Sequence, residues 1–191
     1  MMQFLLFSRL YFFGLLLLLL GLSAPTAQAQ PRKRYMFAQK NPECPAVSNL
    51  TKNTDEDADV SGTYTHVCYR SQAEMLLEIN ELRKIHDWAD STYQRRLSRL
   101  PAGGVLVLNI HRQGPKNADP SVLTLTARTK DGKEIFTATP RPATGRFFGR
   151  DLYQTQQSIP FVKLDPTAGP VLLTVKDNRL QQVFEYQINV Q

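Results

Sequence analysis

The only two cysteines of the chain, Cys44 and Cys68, bracket a polar segment whose residue types could do chemistry. His66 lies two residues before Cys68, and carboxylates alternate along residues 55–59. Such a segment is compatible with a metal site, a redox site or a loop closed by a disulfide. The redox compartment in which the chain resides decides among them.

The spacing of these residues argues against metal and redox chemistry. Zinc usually has four closely spaced Cys or His ligands, and here only His66 and Cys68 are neighbours. A redox enzyme usually carries C-x-x-C, which is absent. A calcium loop of the EF-hand type beginning at residue 55 would need Gly and Glu where the chain has Val60 and His66. We therefore expect no cofactor and no metal, with one set of weak calcium candidates: Asp55, Asp57 and Asp59.

The beginning of the chain indicates export. Arg9 precedes an apolar run over residues 10–22, and Ala27-Gln28-Ala29 follows it. This pattern predicts a signal peptide over residues 1–29, cleaved between Ala29 and Gln30. The alternative is a membrane anchor, which would need about 20 apolar residues. The basic residues 32–34 argue in the anchor's favour, because positive charge beyond an apolar run favours the cytoplasmic side.

Export would place the chain in an oxidising compartment, secreted or periplasmic, where two cysteines most simply pair with each other. A Cys44–Cys68 disulfide would close a loop of about 25 residues and stabilise the fold by ~3 kcal/mol. The loop is rich in Asn, Asp, Thr and Ser, and it has few large apolar side chains to bury.

A second segment, residues 139–153, combines arginines with aromatic residues, the composition enriched at binding hot spots. Two readings are open: the segment presents these side chains to a carboxylate, a phosphate or a partner, or the aromatic rings fill the core and the arginines are solvated. The candidate binding surface consists of Arg141, Arg146, Phe147, Phe148, Arg150 and Tyr153.

No catalytic constellation is evident among the three histidines, His66, His86 and His111. The chain lacks G-x-S-x-G, H-E-x-x-H and a P-loop. His86 and Asp87 are adjacent on a predicted helix and so do not face one another. We expect a non-enzymatic protein. The alternative is a metal-dependent or hydrolase-like enzyme in which His111 or His66 works with the acids of residues 55–59.

A long amphipathic helix is the strongest local prediction. Ser71 and Glu74 match a capping box, and apolar residues then recur at helical spacing as far as Leu100. Pro101 and the two glycines after it end the pattern. The sequence thus predicts one helix over residues 71–100, which packs on its own domain or pairs with a second copy.

After the glycines the apolar period changes to that of strands. Six short runs rich in β-branched and aromatic residues begin at 105, 121, 133, 158, 170 and 182, and residues 146–154 are a possible seventh. Asp131-Gly132 and Asp177-Asn178 predict tight hairpins. The fold class is therefore α+β, mainly β: one long helix, then an antiparallel β-sandwich of immunoglobulin-like size with six to seven strands.

The predicted organisation has four parts: a signal peptide (1–29), an extended arm with the disulfide-closed loop (30–69), the helix (70–101) and the sandwich (104–191). The net charge of +6 is modest and scattered, which excludes a nucleic-acid interface of the usual kind. We expect an exported interaction or ligand-binding module of the cell envelope, with a protein or an envelope ligand as partner. The chain would not span a membrane after cleavage. Homo-oligomerisation through residues 71–100 is a third possibility.

Overall fold

A computed structural model describes residues 30–31, 33–41, 44–52, 63–165, 167 and 169–189. The predicted signal peptide, its last residue Ala29 and the acids Asp55, Asp57 and Asp59 lie outside these residues. The strands that are described are β1 (Gln30–Pro31), β2 (Arg34–Asn41), β3 (Cys44–Thr51), β4 (Tyr64–Arg70), β5 (Val105–Gln113), β6 (Leu123–Arg128), β7 (Glu134–Ala138), β8 (Arg146–Phe148), β9 (Leu152–Pro160), β10 (Val171–Asp177) and β11 (Gln182–Ile188). The α-helices are α1 (Gln72–His86) and α2 (Asp90–Leu97), and a 3₁₀ turn spans Pro120–Val122.

The strands form two sheets, so the mainly-β class is confirmed. The seven-stranded sheet has the order β2-β3-β11-β10-β6-β7, and the short β1 pairs with β11 beside it. The four-stranded sheet has the order β4-β5-β9-β8. Neighbouring strands are antiparallel throughout, except for the two-residue parallel pair of β1 and β11.

One hydrophobic core receives side chains from both sheets. In β5 the buried residues Leu106, Leu108 and Ile110 alternate with others, as a strand with one face on a core requires. Phe184 and Tyr186 of β11 contribute to the same cluster from the seven-stranded sheet. The arrangement is sandwich-like, because the inner faces of the two sheets bury their apolar side chains together.

Polar groups also join the sheets inside this core. Arg112 of β5 forms a buried ion pair with Asp177 of β10, and its guanidinium donates to the hydroxyl of Thr65. Tyr186 donates its hydroxyl hydrogen to the backbone oxygen of Thr65, which lies in the four-stranded sheet. Asp177 also accepts from the backbone N–H groups of Arg179 and Leu180. We call the buried contacts of Arg112, Asp177 and Thr65 the polar clamp. Because Asp177 belongs to it, the second hairpin, predicted at Asp177-Asn178, is attached to this clamp.

Two helices replace the single predicted one. The Ser71–Glu74 capping box is present in both directions, as predicted. The helix then ends early, because Asp87 adopts the left-handed conformation (φ 49°, ψ 50°) and its N–H bonds to the oxygen of Arg83. Short polar residues tolerate this conformation, so an aspartate can end a helix as glycine does. The chain re-enters a helix at Asp90.

Residues 30–69, expected to be an arm and a loop, contain four strands of the two sheets. β3 pairs with β11, and β4 pairs with β5 along its whole length. Residues 146–154, a possible seventh strand, form β8 and the start of β9. Both predicted hairpins are confirmed, since β6 pairs with β7 and β10 with β11 in antiparallel fashion.

Neither helix in the described part of the chain has the length and apolar character needed to cross a membrane.

Candidate ligand-binding face

The disulfide lies at the edge of the four-stranded sheet. Cys44 of β3 and Cys68 of β4 are bonded, with 5.5 Å between their Cα atoms. The predicted pairing is therefore confirmed, and Cys68 is not available as a zinc ligand or a redox thiol. Because β3 belongs to one sheet and β4 to the other, the bond joins the two sheets covalently.

We call the side of the four-stranded sheet that points away from the shared core its outer face. Alternation places every second residue of β4, β5 and β9 there. The cross-strand register sets His66 opposite Asn109, and Asn109 opposite Gln156. In the next row, Cys68 lies opposite Val107, and Val107 opposite Ser158. Polar side chains of three strands thus share one surface.

A concave groove of about 410 Å³ lies on the outer face, and we call it the polar groove. The start of α1 forms one wall through Met75, and the disulfide forms another. Arg70, which pairs with Glu78 of α1, lies at the rim. Its lining combines polar with apolar side chains: His66, Arg70, Asn109, Gln156 and Ser158 lie beside Met75, Val105, Val107 and the bonded pair Cys44 and Cys68.

The described polar side chains that line the polar groove can donate and accept hydrogen bonds, and none of them is a carboxylate. Amide side chains both donate and accept, the serine hydroxyl does the same, and a neutral imidazole has one group of each kind. The side-chain amide of Gln154 donates to the side-chain oxygen of Asn109 at 3.1 Å. This hydrogen bond fixes the orientation of the Asn109 amide. Among the residues that the structure describes, no Asp or Glu lines the groove. The paired carboxylates or the acid–base partner that hydrolysis usually requires are therefore missing from this lining.

Aromatic rings border the polar groove at its far end. Tyr64 stacks on His66 with 4.2 Å between ring centroids, and His111 lies 5.1 Å from Tyr64. Phe148 of the edge strand β8 contacts His111 edge-on at 5.4 Å. His66 and His111 are thus close to the same tyrosine. The acids proposed to work with them belong to residues 55–59, outside the described residues.

The candidate binding surface divides between the two sides of β8. Arg146 lies opposite Gln154, and Phe148 contacts His111, so both belong to the outer face. Phe147 instead packs on Tyr153 at 5.0 Å, and the hydroxyl of Tyr153 accepts from the N–H of Gly145. Both phenylalanines are 60% exposed, so they do not fill the core.

The remaining candidates are dispersed. Arg141 lies in the segment between β7 and β8, and Arg150 lies in the turn between β8 and β9; both are exposed. His86 ends α1, where its ring stacks near Trp88 at 5.8 Å. Within residues 30–189 as described, no group of three or more His, Cys, Asp or Glu could hold a metal ion.

Among the described residues, two groups have shifted pKa values, and neither is part of the polar groove's lining. Burial, with a smaller contribution from the Glu74 carboxylate, raises the pKa of Tyr69, whose hydroxyl donates to the oxygen of Gly103. The hydroxyl and N–H of Thr167 donate to Asp165 and lower the pKa of that carboxyl. Neither shift indicates an acid–base catalyst.

The residues Asn109, Gln156 and Ser158 were not singled out from the sequence. They belong to the polar half of an alternating strand pattern, which is also the pattern of an ordinary solvated face. The pairing of β5 with β9 is needed to bring them into one row, and that pairing is not encoded locally.

Comparison of the chain with protein-family models, with curated proteins and with solved structures gives no match.

Proposed function

We propose that the chain is an exported β-sandwich protein that binds a neutral glycan in the polar groove and does not catalyse a reaction on it. The observation that carries this proposal is the row of His66, Asn109 and Gln156 on the floor of an open groove whose described lining contains no carboxylate. Vicinal sugar hydroxyls both donate and accept, and amide and imidazole groups complement them in both directions.

The surroundings of the groove support the same ligand class. Tyr64 and the exposed Phe148 provide ring faces and edges beside the polar row, and sugar rings have apolar C–H faces that such rings can cover. Among the described lining residues, Arg70 alone has a formal charge, and Glu78 neutralises it. Neutral polar recognition therefore fits this lining better than ion pairing does.

Export is supported by the leader-like beginning of the sequence and by the disulfide, since such bonds persist in oxidising compartments. A mass spectrum of the protein from its own host tests this part. We expect the mass of residues 30–191 less two hydrogens. A full-length mass with free thiols would contradict both the cleavage and the compartment.

Binding is tested by titrating ¹⁵N-labelled protein with neutral oligosaccharides, for which we choose cellohexaose, chitohexaose, mannohexaose and maltohexaose. We expect at least one of them to shift backbone amides of β4, β5 and β9. Gln156→Ala should weaken that binding about five- to ten-fold, the cost of one lost hydrogen bond. Gln187→Ala, the same change on the other sheet, is the matched control.

Two outcomes would overturn the proposal. If none of the four oligosaccharides shifts the outer-face amides, a neutral glycan is not the ligand. If mass spectrometry finds shortened oligosaccharides after incubation, and His66→Ala abolishes their release, the enzyme alternative is correct.

Assembly through the helices is the second candidate. Leu77 and Ile85 of α1 are 65% and 71% exposed, although both are large and apolar. They lie eight residues apart, a little over two helical turns, so they are about 80° apart around the axis and share one side of the helix. A native mass spectrum that shows a monomer at high concentration would contradict this candidate.

A further inference from the structure

The helical pair α1–α2 carries a second concave surface, separate from the polar groove. It measures about 310 Å³ and is lined by Ile79, Arg95, Arg96, Arg99 and Leu100. We call it the arginine groove. The three guanidiniums come from the last turn of α2 and the residues that follow it, and Ile79 comes from the middle of α1.

Four of the five acids within residues 72–97 are engaged elsewhere, and the fifth, Asp87, ends α1. Glu74 accepts from the N–H of Ser71, Glu78 pairs with Arg70, Glu81 pairs with Lys84, and Asp90 pairs with Arg83. Within the part of the chain that the structure describes, no carboxylate lies within ion-pair distance of any of the three arginines of the groove. Their charge is therefore not neutralised by these residues.

The helix dipole does not account for this cluster. The C-terminus of a helix carries an effective charge of about −0.5 and favours a nearby cation. Three guanidiniums supply six times that charge with the opposite sign. The cluster therefore has a net positive charge that attracts anions.

The apolar residues of the arginine groove indicate that the anion also has a hydrocarbon part. Ile79 and Leu100 are partly buried and place hydrocarbon beside the charges. The guanidinium of Arg96 is held 3.9 Å from the centre of the Trp88 ring, so it is positioned before any ligand arrives. Guanidinium groups match phosphate oxygens with two parallel hydrogen bonds.

We propose that the arginine groove docks the phosphate headgroup of an anionic lipid at a membrane surface. Arg95, Arg96 and Arg99 contact the phosphate, and Ile79 with Leu100 covers the adjoining hydrocarbon. This inference is independent of the glycan site, because the two grooves share no residue.

The test measures partitioning of the exported protein onto vesicles by sedimentation at low salt. We expect binding to vesicles with about a third phosphatidylglycerol and no binding to pure phosphatidylcholine. The affinity should fall as salt is added. Each removed arginine should cost about five-fold, so Arg95→Gln with Arg99→Gln should weaken partitioning about 25-fold. Both side chains are exposed, so the variant should fold.

The matched control is Lys130→Gln with Lys133→Gln, which removes the same charge from the exposed β6–β7 turn. We expect it to change partitioning less than about two-fold. An equal loss in the control would show that only net charge matters and would overturn the site. Equal binding to phosphatidylcholine would overturn it too. Binding of free glycerol 3-phosphate in the absence of vesicles, at a concentration lower than that of the lipid phosphate needed for partitioning, would assign the groove to a free phosphate ester and overturn the lipid assignment.

Discussion

The most consequential single residue inside the fold is Arg112. Its guanidinium lies between the sheets, where it contacts the carboxylate of Asp177, the hydroxyl of Thr65 and the backbone oxygen of Asn117. Its side chain is 5% exposed and that of Asp177 is fully buried. A charge in such a place is tolerated only when its partner and its hydrogen bonds are all present.

We expect Arg112→Ala to lower the free energy of unfolding by about 3–5 kcal/mol, because the carboxylate of Asp177 would remain buried without its partner. Urea denaturation followed by circular dichroism measures this change. Arg128→Ala is the control, since its pair with Glu134 is half exposed and should be worth less than about 1 kcal/mol. Equal effects of the two substitutions would show that burial does not set the strength of the pair.

Tyr69 makes the stability of the fold depend on pH. Burial and the nearby Glu74 raise its pKa above the ordinary value of 10.0. The pKa of Tyr69 is higher in the folded protein than in the unfolded chain. The contribution of Tyr69 to the free energy of unfolding is therefore complete below the unfolded pKa and is lost as the pH rises through the folded pKa. We expect the free energy of unfolding to fall above about pH 10, and less steeply in Tyr69→Phe. Denaturation curves with the same slope against pH in both proteins would contradict this.

At the scale of elements, the capping box is the clearest link between sequence and structure. Ser71 and Glu74 each satisfy the other's free N–H at the start of α1, and Met75 anchors the same turn against the outer face. The first turn of α1 therefore forms one wall of the polar groove, so its stability bears on the proposed binding site.

We expect Ser71→Ala to destabilise α1 by about 1 kcal/mol, because one backbone N–H loses its acceptor. Hydrogen exchange of the α1 amides, compared with those of β5, measures the local effect. Ser98→Ala at the end of α2 is the control, since that hydroxyl bonds only to the oxygen of Arg95. Faster exchange throughout both sheets would mean that the cap acts on the whole fold instead.

The same elements show what the sequence could and could not predict. The capping box and the Asp131-Gly132 turn are local signals, and each is found where it was expected. The break at Asp87 was missed because the apolar spacing continues across it into α2. The strand character of residues 30–69 was also missed. Their polar composition hides residues such as Val47, which is fully buried in the core that the two sheets share.

The candidate site was less predictable than the fold. Arg146 and Phe148 were singled out; Phe148 contacts His111 on the outer face, and Arg146 lies opposite Gln154. Asn109 and Gln156 become neighbours only through pairing between β5 and β9, which are separated along the chain by β6, β7 and β8. A strand's polar face is the same in sequence whether water or a ligand covers it.

At the scale of the whole molecule, the disulfide and the buried polar clamp both connect the two sheets. They do so at different places: the disulfide joins the edge strand β4 to β3, and the clamp joins β5 to β10. The sheets are therefore held together by covalent, ionic and hydrophobic contacts at once.

Removing the bond with Cys44→Ala and Cys68→Ala should lower the free energy of unfolding by about 3 kcal/mol, because the unfolded chain regains the freedom of a loop of about 25 residues. Thermal unfolding of the oxidised, reduced and double-alanine proteins measures this. We expect the reduced and the double-alanine proteins to agree. An unchanged midpoint in the double-alanine protein would mean that the other contacts between the sheets suffice.

The position of β3 has a consequence for how the chain acquires its structure in time. Its neighbours in the sheet are β2, from the adjoining segment, and β11, the last described strand. The hairpin of β2 and β3 therefore remains without β11, its neighbour in the sheet, until nearly the whole polypeptide has been synthesised. Such distant pairings make folding slow. Until β11 arrives, the free edge of β3 stays exposed and can pair with another chain.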